Sequence, residues 1–125
     1  MFSADLRVGD FGGHAVVALS GELDLLEAPG VTTHLIAAVA AYGPSIIVDL
    51  AELEFIDSCG LGVLVRVLRW TRGCGGDLSL AAPQHRVSRI LEITGLIDVF
   101  PVYSSVEQAT GGARVAGRPV PAPAS

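Results

Sequence analysis

A single serine hydroxyl in this chain lies directly between an apolar strand pattern and an apolar helix pattern. Ser58 follows the apolar run at residues 46–50 and comes just before the apolar positions that begin at Leu61. Asp57 and Ser58 are residue types that cap helices, and capping alone is worth about 0.5–2 kcal/mol. A helix N-terminus also presents unpaired N–H groups and a positive dipole, so it tolerates an added phosphate. We therefore predict that Ser58 is either a phosphate acceptor or an ordinary cap residue.

The helix predicted after Ser58 has one polar stripe. Its apolar positions are interrupted by Arg66 and Arg69, which indicates a helix that packs on a sheet and is wet on one side. These two arginines could pair with acidic residues of a partner. The alternative is an ordinary solvated helix face.

The cysteines and histidines of the chain form no recognisable metal-binding, disulfide or catalytic motif. Cys59 and Cys74 lack metal or disulfide spacing, and His14, His34 and His85 are scattered along the chain. A nucleophile at position 58 or 59 would need a nearby base, and no motif places one there. We expect reduced thiols, no metal, no cofactor and no enzymatic activity.

Composition predicts one globular domain. The chain has 125 residues, 50% of them hydrophobic, and a formal net charge of −5. Residues 1–110 hold 6 Arg against 13 Asp and Glu, which would repel nucleic acid. No leader pattern or apolar run of about 20 residues is present, which predicts a cytoplasmic protein with no membrane partner. Residues 111–125 are rich in Ala, Pro and Gly without periodicity, and we expect a disordered tail.

Strand and helix signals alternate along residues 1–110. Residues 6–8 and 14–19 look like a hairpin around a Gly-rich turn, after which the chain is expected to leave the sheet at Gly21. A helix should run from about Pro29 to the stop at Gly43, and another over residues 84–94 with Gly95 at its C-cap. Residues 46–50, 77–81 and 100–103 read as strands. This pattern predicts an α/β fold with a mixed four- to five-stranded sheet and about four helices.

Three segments of the chain resemble the STAS-domain proteins of the anti-sigma factor antagonist group. They are the segment LSGELD at residues 19–24, the stretch from residues 48–50 through FIDSCGLG at 55–62, and residues 87–96. The resemblance covers about residues 4–110, and the central segment is its most specific part. It implies a STAS-like fold.

The resemblance also implies a partner switch. Proteins of this group bind an anti-sigma factor that is also a serine kinase, and thereby free a sigma factor; phosphorylation of the motif serine releases the partner, and a serine phosphatase reverses it. By position that serine is Ser58, and Asp57 would orient the loop. Many members have a second hydroxyl where this chain has Cys59, followed by Gly60. Cys59 is then either a redox-sensitive thiol or a small residue that fills space below the loop.

The resemblance further implies a partner surface beside the phosphosite. The segment Gly21, Glu22, Leu23 and Asp24 corresponds to a family loop near that serine. Other proteins with STAS-like domains bind small ligands or are subunits of transport complexes, so these functions are the alternative.

Overall fold

The computed structural model describes residues 3–7 and 14–111, with side chains from 14 to 110. The chain forms strands and helices in the order β1 (Ser3–Arg7), β2 (Ala15–Leu23), α1 (Ala28–Tyr42), β3 (Ser45–Ile56), α2 (Ser58–Gly73), β4 (Asp77–Ala81), α3 (His85–Thr94), β5 (Val102–Tyr103) and α4 (Val106–Gly111). A short 3-10 turn, Leu96–Asp98, follows α3.

The strands form one five-stranded sheet in the order β1-β2-β3-β4-β5. β1 runs antiparallel to β2, and the pairs β2–β3, β3–β4 and β4–β5 are parallel. The predicted α/β fold with four to five strands and about four helices is therefore confirmed.

Most of the core lies on one face of the sheet. Apolar side chains of α1, α2 and α3 pack there against β2, β3 and β4, and the largest of them include Leu35 and Leu64. Phe100, from the segment before β5, is wholly buried in the same core. A smaller cluster on the opposite face joins Ile47 and Tyr103 to α4. Residues 46–48 are wholly buried, as the continuous apolar run predicted.

Helix ends follow the local signals closely. Gly43 and Gly95 end α1 and α3 with positive φ angles, and Gly95 is in the left-handed conformation that glycine adopts without strain. Pro29 occupies the first turn of α1, as expected. The predicted turn at residues 9–13 and all of the predicted tail except Gly111 lie outside the described residues.

Several predicted strand boundaries are wrong. β1 spans Ser3–Arg7 rather than residues 6–8, and β5 spans only Val102–Tyr103 rather than residues 100–103. β2 does not end at residue 19 but continues through Gly21 to Leu23, and β3 extends from the predicted end at residue 50 to Ile56. The added residues of β2 and β3 pair with each other, through two register shifts, beyond the point where β3 pairs with β4. The result is a two-stranded extension of the sheet, and its tip bears the site described next.

Candidate functional site

Ser58 is exposed at the first position of α2, directly after the tip of the β2–β3 extension. Leu23 and Ile56 are paired at that tip, and the Asp57 N–H donates to the Leu23 carbonyl at 3.1 Å. The loops that follow β2 and β3 are consequently held side by side. No described residue forms a hydrogen bond with the Ser58 hydroxyl, so it is accessible to another protein.

Asp57 holds these two loops together with its side chain. Its Oδ1 accepts a hydrogen bond from the Gly60 N–H at 3.0 Å, which makes Asp57 the N-cap of α2 as predicted. Its Oδ2 accepts from the Leu25 N–H at 3.2 Å, in the loop after β2. The carboxylate thus fixes both the start of the Ser58 helix and the path of the neighbouring loop.

Gly60 is required by close packing beneath this loop. A Cβ at position 60 would lie 2.7 Å from Leu23 Cγ and 2.8 Å from both Ile56 Cγ1 and the Leu23 carbonyl oxygen. At Gly62, the second glycine of the segment, a Cβ would have no atom within 4 Å. Only the first of these two glycines is needed for tight contact.

Cys59 is partly buried and packs against the core below the loop. This environment agrees with the space-filling role among its two predicted roles. Cys74, at the other end of α2, is exposed. No group of three or more His, Cys, Asp and Glu side chains in the described part of the chain is arranged to hold a metal ion.

The segment at residues 21–24 lies beside Ser58, but its members differ in accessibility. Gly21 has a φ of +85° within the strand, Glu22 is exposed, and Leu23 is wholly buried. The expected partner contact of Leu23 is therefore wrong for its side chain, which belongs to the core. Asp24 shapes the following turn, because its Oδ1 accepts hydrogen bonds from the N–H groups of Leu26 and Glu27.

Arg66 and Arg69 lie on the exposed stripe of α2, as predicted, on the same side of the helix as Ser58. Neither forms an ion pair with a described residue. Arg72 differs, because its guanidinium contacts Asp77 at 3.0 Å and donates to the Val99 carbonyl. Arg72 therefore links α2 to β4 and to the segment after α3.

Sequence reasoning missed the exposed apolar residues around Ser58. Leu25 is 67% exposed and Leu26 84% exposed, in the loop that Asp57 holds. Trp70 is 41% exposed on α2, and Ile36 is 43% exposed on α1. The adjacent leucines in a loop were a visible signal, whereas the exposure of Ile36 and Trp70 depends on how α1 and α2 pack.

The three histidines lie on elements other than the Ser58 loop. His14 precedes β2 and is at the opposite end of the sheet, while the ring of His34 is hydrogen-bonded to the Gly30 carbonyl within α1. His85 begins α3 next to Gln84, which donates to the carbonyl of Ala51 near the middle of β3. Within the described residues, no helix has both the length and the apolar character that a membrane crossing requires.

Comparisons with known proteins agree with this arrangement. A family model of the STAS domain matches residues 7–109. The anti-sigma-B factor antagonist of Bacillus subtilis (strain 168) is 32% identical over 91 residues, which is 73% of this chain and 83% of that protein. The crystal structure of an anti-sigma factor antagonist from Mycobacterium paratuberculosis superimposes with a TM-score of 0.79 at 28% identity, covering 90% of this chain and 93% of that one.

A more distant structure shares the fold alone. The Bacillus cell fate determinant SpoIIAA in its phosphorylated form has a TM-score of 0.67 at 22% identity, covering 90% of this chain and all of that one. The matched family model spans most of the residues that form the sheet and helices described above, including the Ser58 loop. This chain therefore belongs to the STAS-domain family, in its group of anti-sigma factor antagonists.

Proposed function

We propose that this chain is an anti-sigma factor antagonist controlled by phosphorylation. Its unphosphorylated form binds an anti-sigma factor with serine kinase activity and so frees a sigma factor. Phosphorylation of Ser58 by that kinase releases the partner, and a serine phosphatase restores the binding form. Such a cycle would take place in the cytoplasm and would require no cofactor of the chain itself.

One observation carries this proposal: an exposed serine begins a helix whose N-cap is already supplied by another residue. Because Asp57 caps α2, the Ser58 hydroxyl is not needed to hold the helix together. A kinase can therefore modify it without removing a structural contact. The phosphate would meet the positive end of the α2 dipole, which favours an anion by about 0.3–1 kcal/mol.

The surroundings of Ser58 explain why a phosphate would weaken partner binding. Phosphorylation adds about −1.5 to −2 charges at neutral pH. Leu25 and Leu26 lie in the loop that Asp57 joins to α2, and a partner that covers these apolar side chains would also have to desolvate the phosphate. The phosphate would add its charge beside the Asp57 carboxylate on an already acidic body, and so would increase the repulsion of acidic groups of the partner.

The partner surface proposed here is centred on Ser58. It includes Glu22 within the strand extension, Asp24 directly after it, and Arg66 and Arg69 along α2. Gly21 and Leu23 support it from within the sheet rather than by side-chain contact.

Two variants of Ser58 test the switch. We expect Ser58→Ala to retain binding to the kinase-type anti-sigma factor and to resist phosphorylation, and Ser58→Asp to bind at least about tenfold more weakly, equivalent to about 1.4 kcal/mol. Phosphosite mapping by mass spectrometry on the protein from growing and stressed cells should find phosphate on Ser58. Equal partner binding by the two variants contradicts the switch, and recovery of the chain with transport components instead would favour the alternative function.

A further inference from the structure

A groove runs along the seam between α1 and α2, starting beside the Ser58 loop. Its near end, about 320 Å³ in volume, is lined by residues that include Leu25 and Cys59. Its far end, about 490 Å³, lies between Ile36 and Trp70. Pro29 and Arg66 line both parts, so the two depressions form one continuous surface.

The groove is apolar and its largest side chains are exposed. Leu25, Ile36 and Trp70 are 67%, 43% and 41% exposed. Apolar residues scattered singly over a surface are ordinary, whereas a contiguous exposed patch marks an interaction site. Ile93, 76% exposed on α3, lines neither part of this groove and is an example of the ordinary kind.

Arg66 is the one charged side chain among the described residues that line the groove. Unlike Arg72, it forms no ion pair within the described part of the chain. An unpaired guanidinium beside an apolar surface suits a partner that brings a carboxylate next to apolar side chains. Residues 1–110 carry a net negative charge, so Arg66, together with Arg69 on the same exposed stripe, makes this side of α2 locally positive.

We infer that the groove binds an amphipathic helix of the same anti-sigma factor that contacts Ser58. Large apolar side chains of that helix fill the space between Ile36 and Trp70, and an acidic residue of the helix pairs with Arg66. The inference rests on the proposed function, because the groove begins at Cys59, the residue next to Ser58. From Cys59 to Trp70 the groove follows α2 for about 16 Å, which about three turns of a partner helix would span.

The distance between Ser58 and Trp70 predicts that the two residues affect partner binding independently. Ser58 and Trp70 are twelve residues apart on α2, or about 18 Å along the helix axis. Changes at sites more than about 10 Å apart with no shared contact usually have additive effects. The Ser58→Asp and Trp70→Ala effects on binding should therefore multiply as fold-changes in the doubly substituted chain.

The test measures dissociation constants with one purified partner, the kinase-type anti-sigma factor that copurifies with the Ser58→Ala chain. Ile36→Ala and Trp70→Ala should each weaken binding at least about tenfold, because truncation of a large side chain at the centre of an interface has effects of this size. The matched control is Ile93→Ala, an exposed apolar residue away from the groove, which should bind like the unchanged chain. Trp70→Ala removes a side chain that is partly buried in packing contacts. If that variant does not fold, the smaller change Ile36→Ala still tests the groove.

A second pair of variants tests the charge. Arg66→Glu should weaken binding and reduce its salt dependence, whereas Arg89→Glu, an exposed charge reversal on α3, should do neither. Circular dichroism of each variant shows that the fold is retained.

The outcomes distinguish the groove from the switch. If the two Ser58 variants differ as expected but Ile36→Ala and Arg66→Glu bind like the unchanged chain, the groove is not a docking site and the proposed function stands. If no kinase-type partner binds either Ser58 variant, the proposed function fails and the docking site fails with it.

Discussion

The Asp57 carboxylate accepts a hydrogen bond at 3.2 Å from the backbone N–H of Leu25, a residue 32 positions earlier in the chain. The same carboxylate caps the helix that begins at Ser58. One side chain thus couples the presentation of the candidate phosphosite to that of the exposed leucines beside it. The Asp57 side chain therefore fixes the loop after β2 relative to the loop after β3.

This double role predicts different effects for two substitutions of Asp57. Asp57→Ala should lower the free energy of unfolding by about 0.5–2 kcal/mol, the usual cost of losing an N-cap. Asp57→Asn should cost less, because asparagine caps almost equally well through its carbonyl oxygen. Its amide nitrogen, however, cannot accept a hydrogen bond from Leu25. Urea unfolding compares the stabilities, and amide exchange at Leu25 should be faster in both variants.

The two glycines of the loop predict a matched pair of stability changes. Gly60→Ala places a methyl group less than 3 Å from buried Leu23 and Ile56, and overpacking of this kind costs about 1–3 kcal/mol. Gly62→Ala meets no atom within 4 Å and adds a good helix former, so it should stabilise the chain by up to about 1 kcal/mol. Thermal unfolding measures both, and equal changes would contradict the packing described here.

Negative charge at Ser58 should alter binding and leave the fold intact. Ser58 is exposed, and an acidic side chain in the first turn of α2 interacts favourably with the helix dipole. We expect Ser58→Asp to change the free energy of unfolding by less than about 1 kcal/mol. Chemical denaturation measures this directly. A large loss of stability would mean that weaker partner binding by this variant reflects unfolding rather than charge.

The imidazole of His14 predicts a pH dependence of stability. Burial lowers the pKa of His14 below its usual value of about 6.5, and the Asp77 carboxylate opposes that shift. The ring Nδ1 is buried without a hydrogen-bond partner among the described residues. Because the unfolded chain then binds the proton more readily, this group's effect is to reduce stability as the pH falls below about 6.5.

Comparison of variants isolates that effect. His14→Gln should show a smaller loss of stability between pH 7.5 and pH 5.5 than the unchanged chain, as measured by urea unfolding at both values. His34→Gln, at an exposed position of α1, controls for the loss of an imidazole. A pH dependence unchanged in His14→Gln would contradict the prediction.

Much of the fold could be predicted because its signals are local. The cap at Asp57, the left-handed Gly95, the proline in the first turn of α1 and the buried run at residues 46–48 each depend on neighbouring residues or on periodicity. For the same reason the position of Ser58 at the start of a helix follows from the sequence. The polar stripe of α2 and the position of Arg66 on it also follow from the sequence.

Tertiary structure decided the features that depend on residues distant in the chain. The extension of β2 to Leu23 and of β3 to Ile56 arises because these segments pair with each other, which neither indicates alone. The bond between Asp57 and Leu25 depends on that pairing. The exposure of Trp70 and Ile36 depends on the packing of α1 against α2, because periodicity identifies an apolar face but not which of its members a neighbouring helix leaves uncovered.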